Sequence, residues 1–350
     1  MHKLLAHLPA HVFALGFSLR KRPLLRRFVG AVRVSFVGRA ELVPDGSTVL
    51  VWASGPFGLA APAPGVRERC ATIFVEDGFL RSVGLGADLV RPSSWVLDSR
   101  GMYFDASQPS DLEQLLQTTV FSQAMLERSR ALRATLVSAD LTKYNVGATP
   151  WARPASVGER EVILAVGQVE SDAAIRLGTP GISTNIALLR AARAAHPHAW
   201  LIYKPHPDVV AGLRGAGAGE GLAAQICDEI VTDTPIGSLL GAVDVVHVLT
   251  SLAGFEALLR GTRVVCHGLP FYAGWGLTQD SVRAPRRSRE LALDQLVAGV
   301  LLEYPVYLSW ENGQPCEAET AIAELRALRD SAGATLPTWR RALRPLLRRA

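Results

Sequence analysis

Cysteine is scarce: Cys70, Cys227, Cys266 and Cys316 lie far apart in 350 residues, with no CxxC pair. That spacing excludes a disulfide scaffold and a cysteine-built zinc site, and it points to a reducing, cytoplasmic setting. Long apolar runs are missing too. The best candidate, 8–19 (LPAHVFALGFSL), is twelve residues with Pro9 and His11 inside it. A spanning helix needs about 20, and the stretch lacks a secretory signal's basic start and small-residue cleavage site. No GxxxxGK[ST], HExxH or DxD string occurs, and no GxGxxG opens a helix behind a strand; Gly84-Leu85-Gly86 is only a fragment. No metal is therefore expected, and a bound phosphate would be neutralised by basic side chains and a helix N-terminus.

Acids are absent from both ends. Residues 1–40 hold Lys3, Arg20, Lys21, Arg22, Arg26, Arg27, Arg33 and Arg39 with no Asp or Glu, and Arg340, Arg341, Arg344, Arg348 and Arg349 follow Asp330. The body between them carries 24 bases against 32 acids. An acidic body argues against a nucleic-acid groove. Apolar and basic residues interleaved at both ends suggest contact with an anionic membrane surface, each basic side chain contributing about 1 kcal/mol. A solvated basic tail, or a helix packed on the body, is the plainer alternative.

What is present is an ordinary globular composition, 49% hydrophobic and 20% charged, long enough for roughly two domains. Apolar runs at 47–53, 71–75, 95–98 and 102–104 read as strands, and 111–136 has helical spacing. A stretch rich in Gly, Pro and small residues, 144–158, reads as a linker. Strand patterns resume at 161–166, 199–203, 229–231, 243–248 and 263–267, with helices at 186–195 and 252–260 and a helical pattern beyond 290. The expected divisions are a basic apolar segment (1–40), two Rossmann-like α/β domains (41–150 and 151–290), and C-terminal helices with a basic tail (291–350). In such sheets ligands sit beyond the carboxyl ends of the strands.

Four polar clusters fall at those ends. Glu76-Asp77, followed by Gly78 and Arg81, suits a general base beside a cation, or simply a capping acid with its salt bridge. Gln168, Glu170 and Asp172 offer a positioning amide and a nucleophile or base; an N-cap is the competing reading of Asp172. In Lys204-Pro205-His206-Pro207 the two prolines stiffen the backbone around the imidazole, and lysine with histidine suits a phosphate. Thr250-Ser251 opens a helix, an anion-binding arrangement, with Glu256 about one turn further in and able to reach a ribose hydroxyl; an ordinary cap is the alternative. His196 and His198 read as structural.

The strings VEDGFLRSVGLG (75–86), GMYFDASQPSDLE (101–113), GQVESDAAIRLG (167–178), YKPHPDV (203–209), TSLAGFEALLRG (250–261) and GLPFYAGWGLTQD (268–280) resemble the bacterial capsule polysaccharide biosynthesis family. That family includes the β-Kdo glycosyltransferases of the KpsC and KpsS type. The resemblance runs from about residue 45 to 320. It implies a GT-B architecture, two Rossmann-like domains facing a cleft, and a retaining enzyme that moves Kdo from CMP-Kdo onto a Kdo-bearing or phospholipid-linked acceptor. It implies Asp172 as nucleophile, Glu76 or Asp77 as acid/base, and Lys204 and His206 at the donor phosphate. Thr250, Ser251 and Glu256 match the CMP-binding segment, and Arg81 would hold an acceptor carboxylate. Other capsule assembly proteins are the implied partners, at the inner membrane. A transferase for another nucleotide sugar, or a non-catalytic glycolipid-binding module of an export complex, are the alternatives.

Overall fold

The computed structural model describes residues 3–59, 65–83, 91–143 and 149–331. The expected basic tail (332–350), the first part of the linker (144–148) and the Gly84-Leu85-Gly86 fragment lie outside them.

Two sheets organise the chain, the first mixed and the second parallel. The first begins with β1 (His11–Leu15), β2 (Arg33–Val37), β3 (Thr48–Trp52), β4 (Ala71–Asp77) and β5 (Ser94–Asp98). The second contains β6 (Val162–Val166), β7 (Trp200–Lys204), β8 (Glu229–Ile230), β9 (Val245–Val248), β10 (Arg263–Cys266) and β11 (Gln279–Asp280), in the order β11-β10-β9-β6-β7-β8. Counted from its own first strand, that order is the doubly wound one, with the switch point between β6 and β9. Val162–Val166 is buried throughout, as expected of a central parallel strand covered on both faces.

Beyond residue 290 the chain does not stay helical. It returns to the first sheet as β12 (Pro305–Leu308) and β13 (Pro315–Cys316), completing the order β13-β12-β5-β4-β3-β1-β2. β12 pairs antiparallel with β5, Val306 opposite Trp95. The divisions at 40 and 290 therefore do not follow sheet membership: β1 and β2 precede the one, β12 and β13 follow the other, and all four belong to the first sheet. The apolar run at 102–104 is not a strand but a turn that buries Met102 and Phe104, and the helical stretch after it is two helices, Asp111–Thr118 and Gln123–Ser138.

The stretch 8–19 is not a surface anchor either. Its middle forms β1, lying between β2 and β3 with Val12, Ala14 and Leu15 almost wholly buried. The following helix, Lys21–Val29, buries Leu25, Phe28 and Val29 while Arg26 and Arg27 face outward. Phe28 stacks on Trp95 with ring centroids 4.4 Å apart, and Phe17 meets Trp52 edge-on at 5.6 Å. Each large apolar side chain buried here contributes about 1.5–3 kcal/mol, so the segment is bound into the core. Among the described residues no helix is long and apolar enough to cross a membrane.

The two sheets are held together by aromatic rings and by ion pairs that include a buried cluster on Glu113. Phe79 packs against Phe271 at 4.7 Å. Glu113, on the Asp111–Thr118 helix, receives Arg286 at 2.6 Å and Arg287 at 3.0 Å from the second half.

Candidate functional site

Three of the four polar clusters follow the adjacent strands β9, β6 and β7 of the second sheet, around its switch point. The chain leaves β6 through Gly167, where a Cβ would stand 2.6 Å from the Tyr203 hydroxyl. Gln168 follows. Its backbone N–H donates to Asn185 Oδ1 at 2.9 Å, and its side-chain carbonyl accepts from the Thr250 N–H at 2.8 Å. Gln168 Nε2 donates in turn to Thr250 Oγ1 at 3.1 Å, so one buried amide ties the end of β6 to the end of β9.

Glu170 and Asp172, equivalent in the sequence, do different things. Glu170 is a clamp: Oε1 accepts from the Asn185 N–H at 2.7 Å and Oε2 from the Ala218 N–H at 2.8 Å. Asp172 occupies the N-cap backbone position of the helix Ala173–Gly178, yet its carboxylate makes no capping hydrogen bond. Half-exposed, it faces the Arg214 guanidinium at 3.9 Å. Burial raises its pKa, against the pull of Arg214 and Lys143. The capping alternative therefore does not account for this side chain.

His206 caps the short helix Pro207–Val210 by accepting the Asp208 N–H on Nδ1 at 3.2 Å. Burial, with Lys143 and Arg214 nearby, lowers its pKa to about 4. The ring is thus neutral near pH 7 and carries its proton on Nε2, a donor suited to a phosphate oxygen. Lys204 is placed differently from its sequence neighbour. Its Nζ donates to the Thr234 carbonyl at 2.7 Å, and burial lowers its pKa to about 8. Ser251 caps the helix Leu252–Leu259 by accepting from the Ala253 N–H. Glu256 is buried, not reaching outward: Oε1 accepts from the Lys143 N–H at 2.7 Å, and burial raises its pKa to about 7. The ribose role read from spacing has no geometric support at this side chain.

The first sheet contributes the other wall. β4 runs two residues further than its apolar core, so Glu76 and Asp77 are its last residues. Asp77 is fully engaged: Oδ2 takes the Arg81 Nε–H at 2.8 Å and Oδ1 the Trp95 indole N–H at 3.1 Å. Burial opposes its ionisation, but Arg81 and Lys21 outweigh that and hold its pKa below the usual value. Glu76 accepts only backbone N–H groups, from Ser54 at 2.9 Å and Asp77 at 3.1 Å, and burial raises its pKa. Arg81, expected to meet an acceptor, is buried against Asp77 and the Ser82 hydroxyl.

Three cations that the motifs did not reveal complete the site. Lys21, counted in the sequence as one of many basic residues, stands over the Trp52 ring 3.1 Å from its centroid, and Glu76 and Asp77 counter the lowering of its pKa by burial. Lys143 bridges the halves through its backbone, receiving the Ser82 N–H on its carbonyl and donating its own N–H to Glu256. Its charge acts on Asp77 from the first sheet and on Asp172, His206 and Glu256 from the second. Arg214 lies between the helix Pro207–Val210 and β8, in a stretch rich in Gly and Ala. Among the described residues no group of three or more His, Cys, Asp or Glu is placed to hold a metal ion.

Residues 65–307 match the family described as capsule polysaccharide biosynthesis protein. The chain belongs to the capsule polysaccharide biosynthesis family. Within that family it is 42% identical over 321 residues to the capsule polysaccharide modification protein LipA of Neisseria meningitidis serogroup B. This alignment covers 90% of the chain and 45% of LipA, so the chain spans about half the length of this curated relative. Two solved structures share its fold, both described as KpsC of Thermosulfurimonas dismutans. The β-Kdo 2,7 transferase is 38% identical with a TM-score of 0.76, covering 91% of this chain and 99% of the other. The β-Kdo 2,4 transferase is 31% identical with a TM-score of 0.77, covering 90% and 98%. The strings 75–86 and 203–209 contain the ends of β4 and β7, and 167–178 and 250–261 follow the ends of β6 and β9.

Proposed function

We propose that this chain is a retaining glycosyltransferase that moves Kdo from CMP-Kdo onto a lipid-linked acceptor in capsular polysaccharide biosynthesis and export. The observation that carries the reading is Asp172: a half-exposed carboxylate behind β6, without a capping bond, that feels the same Arg214 and Lys143 charges as the neutral His206 imidazole. The likeness to two β-Kdo transferase structures supports the sugar and the reaction class. In this reading the two sheets form a GT-B pair, with the donor on the second and the acceptor on the first.

Asp172 attacks the anomeric carbon; a carboxylate–carbon bond forms as the bond to the CMP phosphate oxygen breaks, and CMP leaves with that electron pair. The His206 Nε2–H, the Ser251 hydroxyl and the N-terminus of its helix meet the phosphate charge. Lys204 acts by holding the Thr234 loop beneath it. The acceptor hydroxyl then displaces Asp172, giving its proton to a carboxylate of the first sheet. Glu76 fits this role better than Asp77, because burial raises its pKa towards that of a working base, whereas Arg81 and Lys21 hold Asp77 as a weakly basic carboxylate. Two inversions return the original anomeric configuration. Arg81 orders Asp77 and the acceptor wall. The protein would work in the cytoplasm, peripheral at the inner membrane, with other capsule assembly proteins as partners.

The test is transfer from CMP-Kdo, generated in situ, to a Kdo-terminated synthetic acceptor, read by mass spectrometry. One added Kdo is expected from the wild type and none from Asp172→Ala, which should still bind CMP. Near-wild-type turnover by that variant would remove the nucleophile assignment.

A further inference from the structure

Asp172 and the donor proposed above pose an electrostatic problem that the loop behind β7 answers. In a 2-ulosonic acid such as Kdo the anomeric carbon itself bears a carboxylate. For attack, that carbon must approach the Asp172 oxygen to about 3 Å, which brings two carboxylates within one bond's length of contact. Like charges so close repel strongly unless a cation is shared between them. A neutral sugar would present no such demand.

Arg214 supplies that cation. Its Nη2 lies 3.9 Å from Asp172 Oδ1, and its charge also acts on His206, where the phosphate would lie. The side chain is half-exposed, and a guanidinium is the cation that pairs with a planar anion through two N–H groups at once. Its backbone is well held: the Arg214 N–H donates to the Asp208 carbonyl at 3.1 Å. The glycine-rich turn after it is pinned by Glu170 on the Ala218 N–H and by Glu220 on the Gly217 N–H at 2.6 Å. At Gly217 a Cβ would stand 2.3 Å from Glu170 Oε1, so the turn can lie this close only because it carries no side chain there. Glu170 therefore sets the loop, and the loop sets Arg214 over Asp172.

We propose that Arg214 binds the carboxylate on the donor's anomeric carbon, and that this contact selects acid sugars over neutral ones. The inference rests on the CMP-Kdo reading. Lys143 is the second cation of the site, reached from the other side through the Ser82–Lys143–Glu256 bridge.

CMP has the phosphate and the nucleoside but no sugar carboxylate, so it separates this role from phosphate binding. In Arg214→Gln the KM for CMP-Kdo should rise about 10–100-fold, the loss expected for one charge-assisted hydrogen-bonded pair, with Arg214→Lys between the two. Inhibition by CMP should stay within about twofold, which also shows that the variant is folded. A parallel loss of CMP and CMP-Kdo would assign Arg214 to the phosphate and overturn the proposal, as would an unchanged KM. A wild type that binds CMP but neither binds nor turns over CMP-Kdo would remove the donor assignment and this inference with it. An active wild type with an unaltered Arg214→Gln variant would remove this inference alone.

Discussion

Glu256 gives the sharpest quantitative prediction. Its carboxyl is buried, and its pKa stands at about 7 against an ordinary 4.5. A carboxyl raised on folding binds a proton more tightly in the folded state than in the unfolded one. Its contribution is therefore favourable at low pH and is lost as pH rises from about 4.5 through 7. The full shift corresponds to about 3 kcal/mol of destabilisation above pH 8, and to about 1 kcal/mol at pH 5. Glu256→Gln removes the charge but keeps an oxygen for the Lys143 N–H. The variant should therefore exceed the wild type in stability by about 3 kcal/mol at pH 8 and by about 1 kcal/mol at pH 5. With an unfolding entropy near 2.1 cal/mol/K per residue, the pH 8 difference is about 4 °C in Tm. Calorimetric scans of both proteins at pH 5 and pH 8 read it directly. Equal pH dependence in the two proteins would refute the reasoning, since it would mean that Glu256 ionises as easily folded as unfolded.

Gly254→Ala should cost about 1–3 kcal/mol, because its Cβ would stand 2.2 Å from the Tyr272 hydroxyl. Since Tyr272 donates to the Ser251 carbonyl, CMP affinity should fall together with Tm. Glu113→Ala strands the buried Arg287 guanidinium and should cost about 3–5 kcal/mol by urea unfolding; a loss below 1 kcal/mol would count against the clasp between the sheets. Removing residues 1–27 would extract β1 from between β2 and β3, so circular dichroism should report loss of the fold, not release of an anchor. Membrane contact is tested instead by neutralising the outward-facing Arg20, Arg26 and Arg27. At about 1 kcal/mol each, affinity for phosphatidylserine vesicles should fall about 100-fold; unchanged binding would remove the membrane proposal.

The second sheet was legible because β6, β7 and β9 are short buried runs, each followed by a polar cluster. The expected 161–166 and 199–203 became Val162–Val166 and Trp200–Lys204. The first sheet was only partly legible. His11–Leu15 looks like part of an amphipathic anchor because basic residues crowd the helix after it, and charge pattern outweighed a five-residue strand signal. Pro305–Leu308 has no local mark that it would join a strand more than 200 residues earlier. The four clusters were visible, but the division of labour within each was not. Glu170 against Asp172, and Glu76 against Asp77, are separated only by which backbone N–H groups and guanidinium ions reach them. Lys21, Lys143 and Arg214 carry no motif. They matter because segments far apart in the chain bring their charges to these carboxylates, Lys21 to Glu76 and Asp77, Arg214 to Asp172, and Lys143 to Asp77 and Asp172.

The late return of β12 has a consequence for synthesis. On the ribosome the β5 edge, with Trp95, must wait until Pro305–Leu308 has emerged. At bacterial elongation rates the roughly 200 intervening residues take about 10–40 s to make. The whole second sheet can form in that interval, while the first stays an unfinished template with an open, apolar edge. Nascent chains stalled between residues 280 and 300 should therefore recruit a holdase chaperone, and chains extended past Cys316 should shed it.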